Sequence, residues 1–385
     1  MTESVRSARR SIIISPDSFK GTLTSEQICN IIAALIRRIL PEYEPVPLPV
    51  ADGGEGSVSA FLNAAGGERI PVRVKDPFFR ETEAFFGKLS DAKTGVIEMA
   101  AAAGLPLVES EKNPLRATTW GVGELMLAAA DHGCTELIIG LGGSATNDGG
   151  VGAAAACGVR FYDSNGRTYV PTGGTLSEIS RIDPGGIDPR IRKMRITAIC
   201  DIDNPLCGPE GASYVFGPQK GANAEDVRIL DSGLLHLAGI MRRDLGESVE
   251  QLAGGGAAGG MGAGMKAFFG AELKSGIETV LDASDFDRKI QDAALVITGE
   301  GKLDSQSLRG KVIAGVASRA SRYGVPVIVL AGGIEAETDC LDSLGVTAAF
   351  SINRMPEDFS VSRYKSEENL SFSAENLLRL IKTFL

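Results

Sequence analysis

Short apolar runs alternate along this chain with longer segments whose apolar residues recur at helical spacing. The first unit starts with the β-branched run SIIIS, continues through the polar loop PDSFKG, and shows helical spacing of apolar residues from Ile28 to Leu40. Thr24 and Gln27 fit a capping box, in which two side chains satisfy free backbone N–H groups at a helix start. The pattern therefore predicts a strand, a loop and a helix.

The same alternation of strand and helix recurs near both ends of the chain, and a different pattern lies between them. Strands and helices are predicted at EPVPLPVA, SVSAFLNAAGG and ERIPVRVKDP, and again from about Leu295 at ALVITGEG, VIAGVASRASRYG, VPVIVLAGG, VTAAFSIN and SAENLLRLIKTFL. From about Phe78, TEAFFGKL and TGVIEMA are typical of hairpin strands, and they precede a helix at TTWGVGELMLAAADHG and strands at TELIIGL, VRFYD and RITAICDID. Because strand–helix–strand units favour parallel order, we expect residues 1–77 and 285–385 to form one discontinuous α/β domain with a parallel sheet. Residues 78–284 would form an inserted α/β domain with a mixed sheet.

Composition and charge exclude several classes of protein. The 385 residues are 43% hydrophobic and carry a net charge of −10 without any block of lysine or arginine, which argues against binding to nucleic acid or an anionic membrane. No apolar run approaches the roughly 20 residues of a membrane helix, and the first residues lack the apolar segment of a secretory signal. We therefore expect a cytoplasmic protein. The 6 cysteines show no CxxC spacing and only 2 histidines are present, so a zinc site is not expected.

Polar, glycine-rich loops follow several of the predicted strands. In open α/β sheets ligands bind where loops leave the carboxyl ends of strands. Asp, Asn and Gly are also common turn residues, so one such loop alone indicates little. Five of them together carry many carboxylates and amides and few bases: Asp17, Lys20, Asp52, Glu55, Asn147, Asp148, Asp201, Asp203, Asn204, Glu300, Lys302 and Asp304.

This set of side chains suits phosphoryl transfer. Carboxylates can hold Mg²⁺ or deprotonate an attacking hydroxyl, while lysines and backbone N–H groups neutralise phosphate charge. The set suits nucleophilic hydrolysis poorly, because these loops contain no histidine and the chain has no G-x-S-x-G elbow. The phosphate-binding motif G-x-x-x-x-G-K-[ST] is also missing, so the sequence does not predict a P-loop protein.

An NAD-dependent dehydrogenase is the alternative enzyme. Gly140, Gly142 and Ala145 follow the strand TELIIGL at the spacing of a dinucleotide fingerprint, and Asp163 lies where a ribose-binding carboxylate could be. Against this, the run from Asn147 to Gly150 interrupts the chain where the helix should already have begun. A non-catalytic protein that binds small anions is the alternative from another class.

Six motifs in one order resemble the bacterial type 1 glycerate kinase family. They are ISPDSFKGTLTS, VADGGEGS, GLGGSATNDGG, DIDNPLCG, the stretch from Gly254 to Gly264, and ITGEGKLDSQS. The resemblance implies phosphorylation of D-glycerate by ATP, in most such enzymes at the 2-hydroxyl. It also implies two α/β domains, one of them discontinuous and flavodoxin-like, with the active site in the cleft between them. The choice between 2- and 3-phosphorylation and the oligomeric state stay open, with a homodimer as one alternative.

The loops and the resemblance together lead to specific assignments. Asp201, Asp17 and Lys20 are the predicted catalytic residues; Lys20 would supply positive charge to the anions glycerate and ATP, and Lys302, Arg309 or Lys220 would replace it if it were a surface residue. The predicted Mg²⁺ ligands are Asp201, Glu300 and Asp304. The predicted substrate-binding residues are Ser18, Asp52, Glu55, Asn147, Asp148 and Asn204. The predicted nucleotide-binding residues are Gly255, Gly256, Gly259, Gly260, Gly262, Glu300, Asp304 and Ser305.

The glycine-rich stretch AGGGAAGGMGAGMKAFFG has two interpretations. Flexible linkers normally mix glycine with serine and charged residues, whereas residues 254–264 contain only Gly, Ala and Met and lead into a segment of helical character. Small residues let backbone N–H groups approach an anion, and a helix start adds a favourable dipole. We therefore favour a loop that faces the nucleotide. Close packing of a helix against a sheet is the alternative.

Overall fold

The computed structural model describes residues 10–19, 21–50, 56–303, 312–335 and 337–384. The chain divides into two compact units, one of residues Met1–Asp52 and Ile277–Leu385 and one of residues Gly53–Gly276. Each is an α/β structure. In the described part of the chain, no helix is both long enough and apolar enough to cross a membrane.

Strands and helices alternate through most of the chain. The strands are β1 (Ser11–Ile14), β2 (Glu44–Pro47), β3 (Gly67–Lys75), β4 (Glu81–Leu89), β5 (Thr94–Glu98), β6 (Glu136–Gly140), β7 (Arg160–Tyr162), β8 (Thr168–Tyr169), β9 (Arg181–Asp183), β10 (Arg195–Ile199), β11 (Glu272–Lys274), β12 (Ala293–Leu303), β13 (Val327–Ile334) and β14 (Ala348–Ser351). The helices are α1 (Ser25–Ile39), α2 (Ser57–Ala65), α3 (Ala100–Ala103), α4 (Trp120–Asp131), α5 (Val151–Ala156), α6 (Pro189–Lys193), α7 (Ala212–Phe216), α8 (Ala224–Leu245), α9 (Ala257–Phe269), α10 (Gly276–Ala283), α11 (Phe286–Lys289), α12 (Val312–Arg322), α13 (Thr338–Leu344), α14 (Phe359–Ser362) and α15 (Ser366–Ile381).

The first unit contains a parallel sheet of five strands in the order β14-β13-β12-β1-β2. Counted within this unit alone and read from β2, the order is 2-1-3-4-5, which is the flavodoxin-like arrangement. β1 lies inside the sheet, between β12 and β2, and all four of its residues are buried. Alternate residues such as Ile12 and Ile14 form one core with α1 and α15.

Helix α1 begins where its sequence predicts. Thr24 is the N-cap: its hydroxyl accepts a hydrogen bond from the backbone N–H of Gln27 at 3.2 Å, and the Gln27 side-chain oxygen accepts one from the Thr24 N–H at 2.9 Å. This capping box satisfies two N–H groups that the helix leaves without internal partners. The buried residues Ile28, Ile32 and Ile36 recur every four positions and so form one face that packs on the sheet.

The second unit contains a mixed sheet of six strands in the order β11-β10-β6-β5-β4-β3. β5, β6, β10 and β11 pair in parallel, and β3 and β4 join as antiparallel strands. A separate antiparallel sheet has the order β8-β7-β9. The mixed α/β class expected from the sequence, with one parallel and one mixed sheet, is confirmed.

The predicted domain boundaries lie too far along the chain. The units divide after Asp52 and after Gly276, whereas the pattern placed the divisions after residues 77 and 284. The physical reason is strand β3, which pairs with β4 along its whole length, from Gly67 opposite Leu89 to Lys75 opposite Glu81. It therefore belongs to the mixed sheet, although its position after a βα unit favoured the parallel one.

Candidate active site

The carboxyl ends of β1 and β12 meet at the switch point of the parallel sheet. The chain leaves β1 toward β2 on one side and β12 toward β13 on the other, and ligands of open α/β sheets bind in the crevice that such a divergence creates. Ile14 pairs with Ile297, and the Asp17 N–H donates to the Gly299 carbonyl at 2.8 Å. This register brings Asp17 and Glu300 to neighbouring positions at the same edge.

A cavity of about 650 Å³ opens at this edge. Asp17 and Glu300 both line it, and they are only 9% and 6% exposed. The remaining lining comes from residues after β1, from the end of β13 and from the segment that follows β14. The volume lies within the range of about 300–1,000 Å³ that is usual for small-molecule sites. The sequence-based expectation that ligand-facing residues follow the strands therefore has a structural counterpart in this unit.

Ser18, predicted to bind substrate, lies in the same cavity. Its backbone N–H donates to Asp17 Oδ1 at 2.6 Å, which holds the Asp17 carboxylate in place. The neighbouring strands are tied together below this point, since the Thr298 hydroxyl donates to the Ser15 carbonyl at 2.7 Å. Three predicted site residues, Asp17, Ser18 and Glu300, are thus brought together.

Two residues of the cavity lining, Glu335 and Glu357, form ion pairs with lysines. Lys302 Nζ lies 2.9 Å from Glu335 Oε1, and Lys365 Nζ lies 2.7 Å from Glu357 Oε1. Among the described residues that line the cavity, Lys302 is the only cation. Of the described lining residues, the buried carboxylates of Asp17 and Glu300 give the inner part of the cavity its acidic groups.

The part of the chain that the structure describes contains no complete cage of metal ligands. The described residues include no group of three or more His, Cys, Asp or Glu side chains placed to hold a metal ion. Mg²⁺ usually needs only one or two protein carboxylates, because phosphate oxygens and water supply its other ligands. The pair Asp17 and Glu300 fits that requirement. Asp304, the third predicted ligand, lies outside the described residues.

Asp201 belongs to the other unit, where its carboxylate accepts a backbone hydrogen bond. The side chain is exposed, and its Oδ1 accepts a hydrogen bond at 2.9 Å from the N–H of Gly276, the first residue of α10. In the same loop, the Asn204 side chain donates to the Glu210 carbonyl at 2.8 Å. Both contacts are of the kind that turn and helix capping produces. The sequence alone allows this capping role for the residues of this loop.

The surroundings of Asp148 indicate a structural role. It is completely buried, and its oxygens accept hydrogen bonds from the N–H and hydroxyl of Thr119 and from the N–H groups of Gly150 and Gly152. Burial raises the pKa of this carboxyl, and these hydrogen bonds oppose the shift. The side chain therefore fixes the turn into α5, and its contact with substrate stays a prediction.

Asn147 lies beside Asp148 and is also fully buried. Its Nδ2 donates to the Ser213 hydroxyl at 3.0 Å, whereas its Oδ1 has no hydrogen-bond partner among the described residues. Its role in substrate binding stays a prediction.

Lys220, named from the sequence as a substitute cation, is buried inside the second unit. Its ammonium donates to the Ser144 hydroxyl at 2.8 Å and to the Thr146 carbonyl at 2.7 Å. Burial lowers the pKa of Lys220 to about 7, and the charge of Asp148 opposes this shift. The side chain therefore holds the loop after β6 and is only 2% exposed.

The glycine-rich stretch is a packing element. Gly255, Gly256, Gly259, Gly260 and Gly262 are all buried. A Cβ atom at Gly259 would lie 2.1 Å from the Thr146 carbonyl oxygen, and one at Gly262 would lie 2.2 Å from that of Gly254. The N–H groups of Gly255 and Gly256 donate to the carbonyls of Leu252 and Asn204. Backbone-to-backbone contact explains these glycines and agrees with the packing alternative, while a nucleotide-facing role of the stretch stays a prediction.

The dinucleotide-binding alternative does not agree with the topology. That motif needs a strand, a helix and a second strand in one parallel sheet. β6 pairs with β5 and β10, whereas β7 belongs to the separate antiparallel sheet. Asp163 is partly exposed in the β7–β8 turn, where its Oδ1 accepts from the N–H groups of Asn165 and Arg167. It is therefore a turn residue.

Sequence reasoning missed one side of the cavity. The segment after β14 contributes Asn353, Glu357 and Phe359, and the end of β13 contributes Gly332 and Gly333. The rule that ligand residues follow parallel strands, which was applied to the other loops, also covers these two segments.

Some of the predicted site residues lie outside the described residues. They are Lys20, Asp52, Glu55, Asp304 and Ser305, together with Arg309.

Comparisons with known proteins agree on one family. A family model described as the glycerate kinase family matches residues 12–382. A glycerate kinase of Halalkalibacterium halodurans is 47% identical over 89% of this chain and 90% of that protein, and a glycerate 2-kinase of Escherichia coli is 46% identical with the same coverage. A solved structure described as glycerate kinase 2 from Salmonella typhimurium superposes with a TM-score of 0.88 at 43% identity, covering 97% of this chain and 98% of that one.

Proposed function

Because the chain belongs to the glycerate kinase family, and is therefore a kinase, we propose that it transfers a phosphoryl group from ATP to the 2-hydroxyl of D-glycerate. The products would be 2-phosphoglycerate and ADP, with Mg²⁺ bound during the reaction. The name glycerate 2-kinase of the Escherichia coli relative supports the 2-hydroxyl as acceptor.

One structural observation carries the proposal: two buried carboxylates lie side by side at the switch point of a parallel sheet. Asp17 and Glu300 line one cavity there. An acidic pocket repels a bare triphosphate, so it favours a nucleotide that arrives with a divalent cation. We propose that Asp17 and Glu300 hold this Mg²⁺, which when bound neutralises charge on the phosphate oxygens.

In the proposed reaction, the 2-hydroxyl oxygen of glycerate forms a bond to the γ-phosphorus of ATP. The bond from that phosphorus to the oxygen bridging the β- and γ-phosphates breaks, and ADP leaves with the bridging oxygen. The hydroxyl proton passes to a carboxylate, as in other phosphoryl transfers to alcohols. Asp201 stays our prediction for this base, and Lys20 for the cation that stabilises the transferring phosphate.

The expected activity is tested with the purified full chain, D-glycerate, ATP and Mg²⁺. Release of ADP should depend on all three components. Enolase accepts 2-phosphoglycerate and not its 3-isomer, so enolase added alone should form phosphoenolpyruvate from the product. Phosphoenolpyruvate only after further addition of phosphoglycerate mutase would contradict 2-phosphorylation. Reduction of NAD⁺ by glycerate without ADP release would instead support the dehydrogenase.

Two substitutions separate the helix-capping role of Asp201 from a catalytic one. Asp201→Asn keeps an oxygen that can accept the hydrogen bond from the Gly276 N–H, but it removes the charge. We expect its melting temperature to stay near that of the wild type while turnover falls about a hundredfold or more. Asp201→Ala should lose both the cap, at a cost of about 0.5–2 kcal/mol, and the turnover. If Asp201→Asn turns over glycerate normally, Asp201 is a capping residue only.

A further inference from the structure

An aromatic side chain lies on the rim of the cavity without being buried in the core. Phe359, the first residue of α14, is 60% exposed and lines the cavity. Its ring tip, Cζ, lies 3.7 Å from the position that a Cβ of Gly21 would occupy, so the ring lies over the turn that follows Phe19. Leaving a phenylalanine this exposed forgoes most of its hydrophobic stabilisation. Because Phe359 lies at the mouth of a ligand-sized cavity, its exposed ring face is placed to contact a ligand.

The segment that carries Phe359 is attached at both ends. Asn353 Nδ2 donates to the Gly332 carbonyl at 2.7 Å, which fixes the start of the segment to the end of β13. Lys365 Nζ lies 2.7 Å from Glu357 Oε1, which joins the two sides of α14. Ser362, on the other end of α14, is buried. These contacts fix the segment that carries the ring, and a side chain on a fixed backbone loses less conformational entropy when it binds a planar group.

The polar and apolar parts of the cavity come from different segments. The buried carboxylates of Asp17 and Glu300 come from the side of β1 and β12, whereas Ile334, Ile352 and Phe359 add apolar surface from β13 and the segment after β14. Glycerate is a small anion whose carbons all carry oxygen, so it gains little from an aromatic surface. Lys302 also contacts Glu335, which weakens the attraction of this rim for a small carboxylate. A ligand with a flat apolar part and a charged part fits better.

On the basis of the proposed function, we propose that Phe359 stacks on the purine base of the nucleotide and makes this cavity the nucleotide site. The base would lie against the ring at the rim, and the phosphates would point toward the strand ends. Phe359 is then a residue that determines affinity for the nucleoside, with no part in the binding of glycerate.

The test is equilibrium binding measured by calorimetry on the full chain, which requires no turnover. Stacking of a base on an aromatic ring contributes about 1–3 kcal/mol, so Phe359→Ala should weaken the binding of ADP about tenfold. Phe359→Trp, which keeps an aromatic face, should retain binding within about threefold. Inorganic tripolyphosphate lacks a base, so its affinity should be the same in wild type and Phe359→Ala. Tyr364→Ala is the matched control, because Tyr364 is also exposed, at 79%, and lies outside the cavity lining.

Three outcomes would overturn the proposal. One is unchanged ADP binding by Phe359→Ala. Another is an equal loss of ADP and tripolyphosphate binding, which would indicate a general effect on the cavity. The third is a rise in KM for glycerate with nucleotide binding intact, which would make this the glycerate site. A chain that binds ADP through Phe359 but does not phosphorylate glycerate would contradict the proposed function and leave this inference standing.

Discussion

Replacing Glu300 with glutamine is expected to lower the turnover of glycerate about a hundredfold or more, with little loss of stability. The glutamine side chain has nearly the same shape, but it lacks the negative charge that the site uses to hold a cation. Glu300 is 6% exposed and lines the cavity beside Asp17. Steady-state release of ADP measures the turnover, and circular dichroism during heating measures the stability. Turnover close to that of the wild type would remove Glu300 from the site.

The matched control is Glu375→Gln. Glu375 lies on α15 of the same unit and contacts Arg38 and Arg379, each at 2.6 Å, on the protein surface. Exposed ion pairs contribute little, so we expect turnover to stay within about twofold of the wild type. A comparable loss in both variants would indicate a general effect of removing charge from this acidic chain.

Dependence on Mg²⁺ distinguishes a metal-holding role from that of a general base. If Glu300 and Asp17 hold the cation, then Glu300→Gln and Asp17→Asn should need a higher Mg²⁺ concentration for half-maximal activity, and more Mg²⁺ should restore part of the turnover. Asparagine at position 17 can still accept the hydrogen bond from the Ser18 N–H, so the local turn is kept. A turnover defect that no Mg²⁺ concentration relieves would favour proton transfer instead.

The parallel sheet could be predicted because its signals are local. The runs SIIIS and VPVIVLAGG are too apolar for a loop and too short for a helix, and the capping pair Thr24 and Gln27 fixes the start of α1. A short buried run bounded by loop residues is typical of a parallel strand. The position of Asp17 follows from the same rule, because residues after parallel strands meet at one edge, whereas Glu300 lies within β12, near its carboxyl end.

Strand β3 and helix α8 show the limits of local patterns. Most residues of β3 are at least partly exposed, as expected for an edge strand, and nothing in its sequence indicates whether it pairs with β2 or β4. α8, which runs over 22 residues, was not predicted, although Asn223 and Asp226 at its start form a capping box. The capping box is a local signal for the start of α8, whereas the pairing of β3 depends on tertiary contacts.

The chemical site was harder to predict than the fold, because one residue type serves several purposes. Asp148 and Asp17 both follow strands, yet the first satisfies buried N–H groups and the second lines a cavity. Sequence alone does not show which backbone groups need an acceptor. Phe359 was missed for a related reason: whether a phenylalanine is in a core or on a cavity rim depends on its neighbours in space.

Substituting Gly259 with alanine is expected to destabilise the second unit more than it weakens nucleotide binding. The φ angle at this residue is +70°, and an added Cβ would lie 2.1 Å from the Thr146 carbonyl oxygen and 2.5 Å from the Asn147 Cα. Both contacts are with backbone, so the side chain cannot avoid them by changing rotamer. Left-handed backbone costs a residue with a Cβ about 1–2 kcal/mol, and overpacking adds about 1–3 kcal/mol. We therefore expect the melting temperature to fall by about 5–20 °C.

The matched control is Gly239→Ala, within α8 of the same unit. A Cβ at Gly239 meets no atom within 4 Å, and alanine favours a helix over glycine by up to about 1 kcal/mol, so this variant should be as stable as the wild type or more stable. Below its melting transition, Gly259→Ala should bind ADP within about threefold of the wild type, because the contacts of Gly259 are with the loop after β6. An unchanged melting temperature together with a large loss of ADP affinity would show instead that the glycine-rich stretch faces the nucleotide.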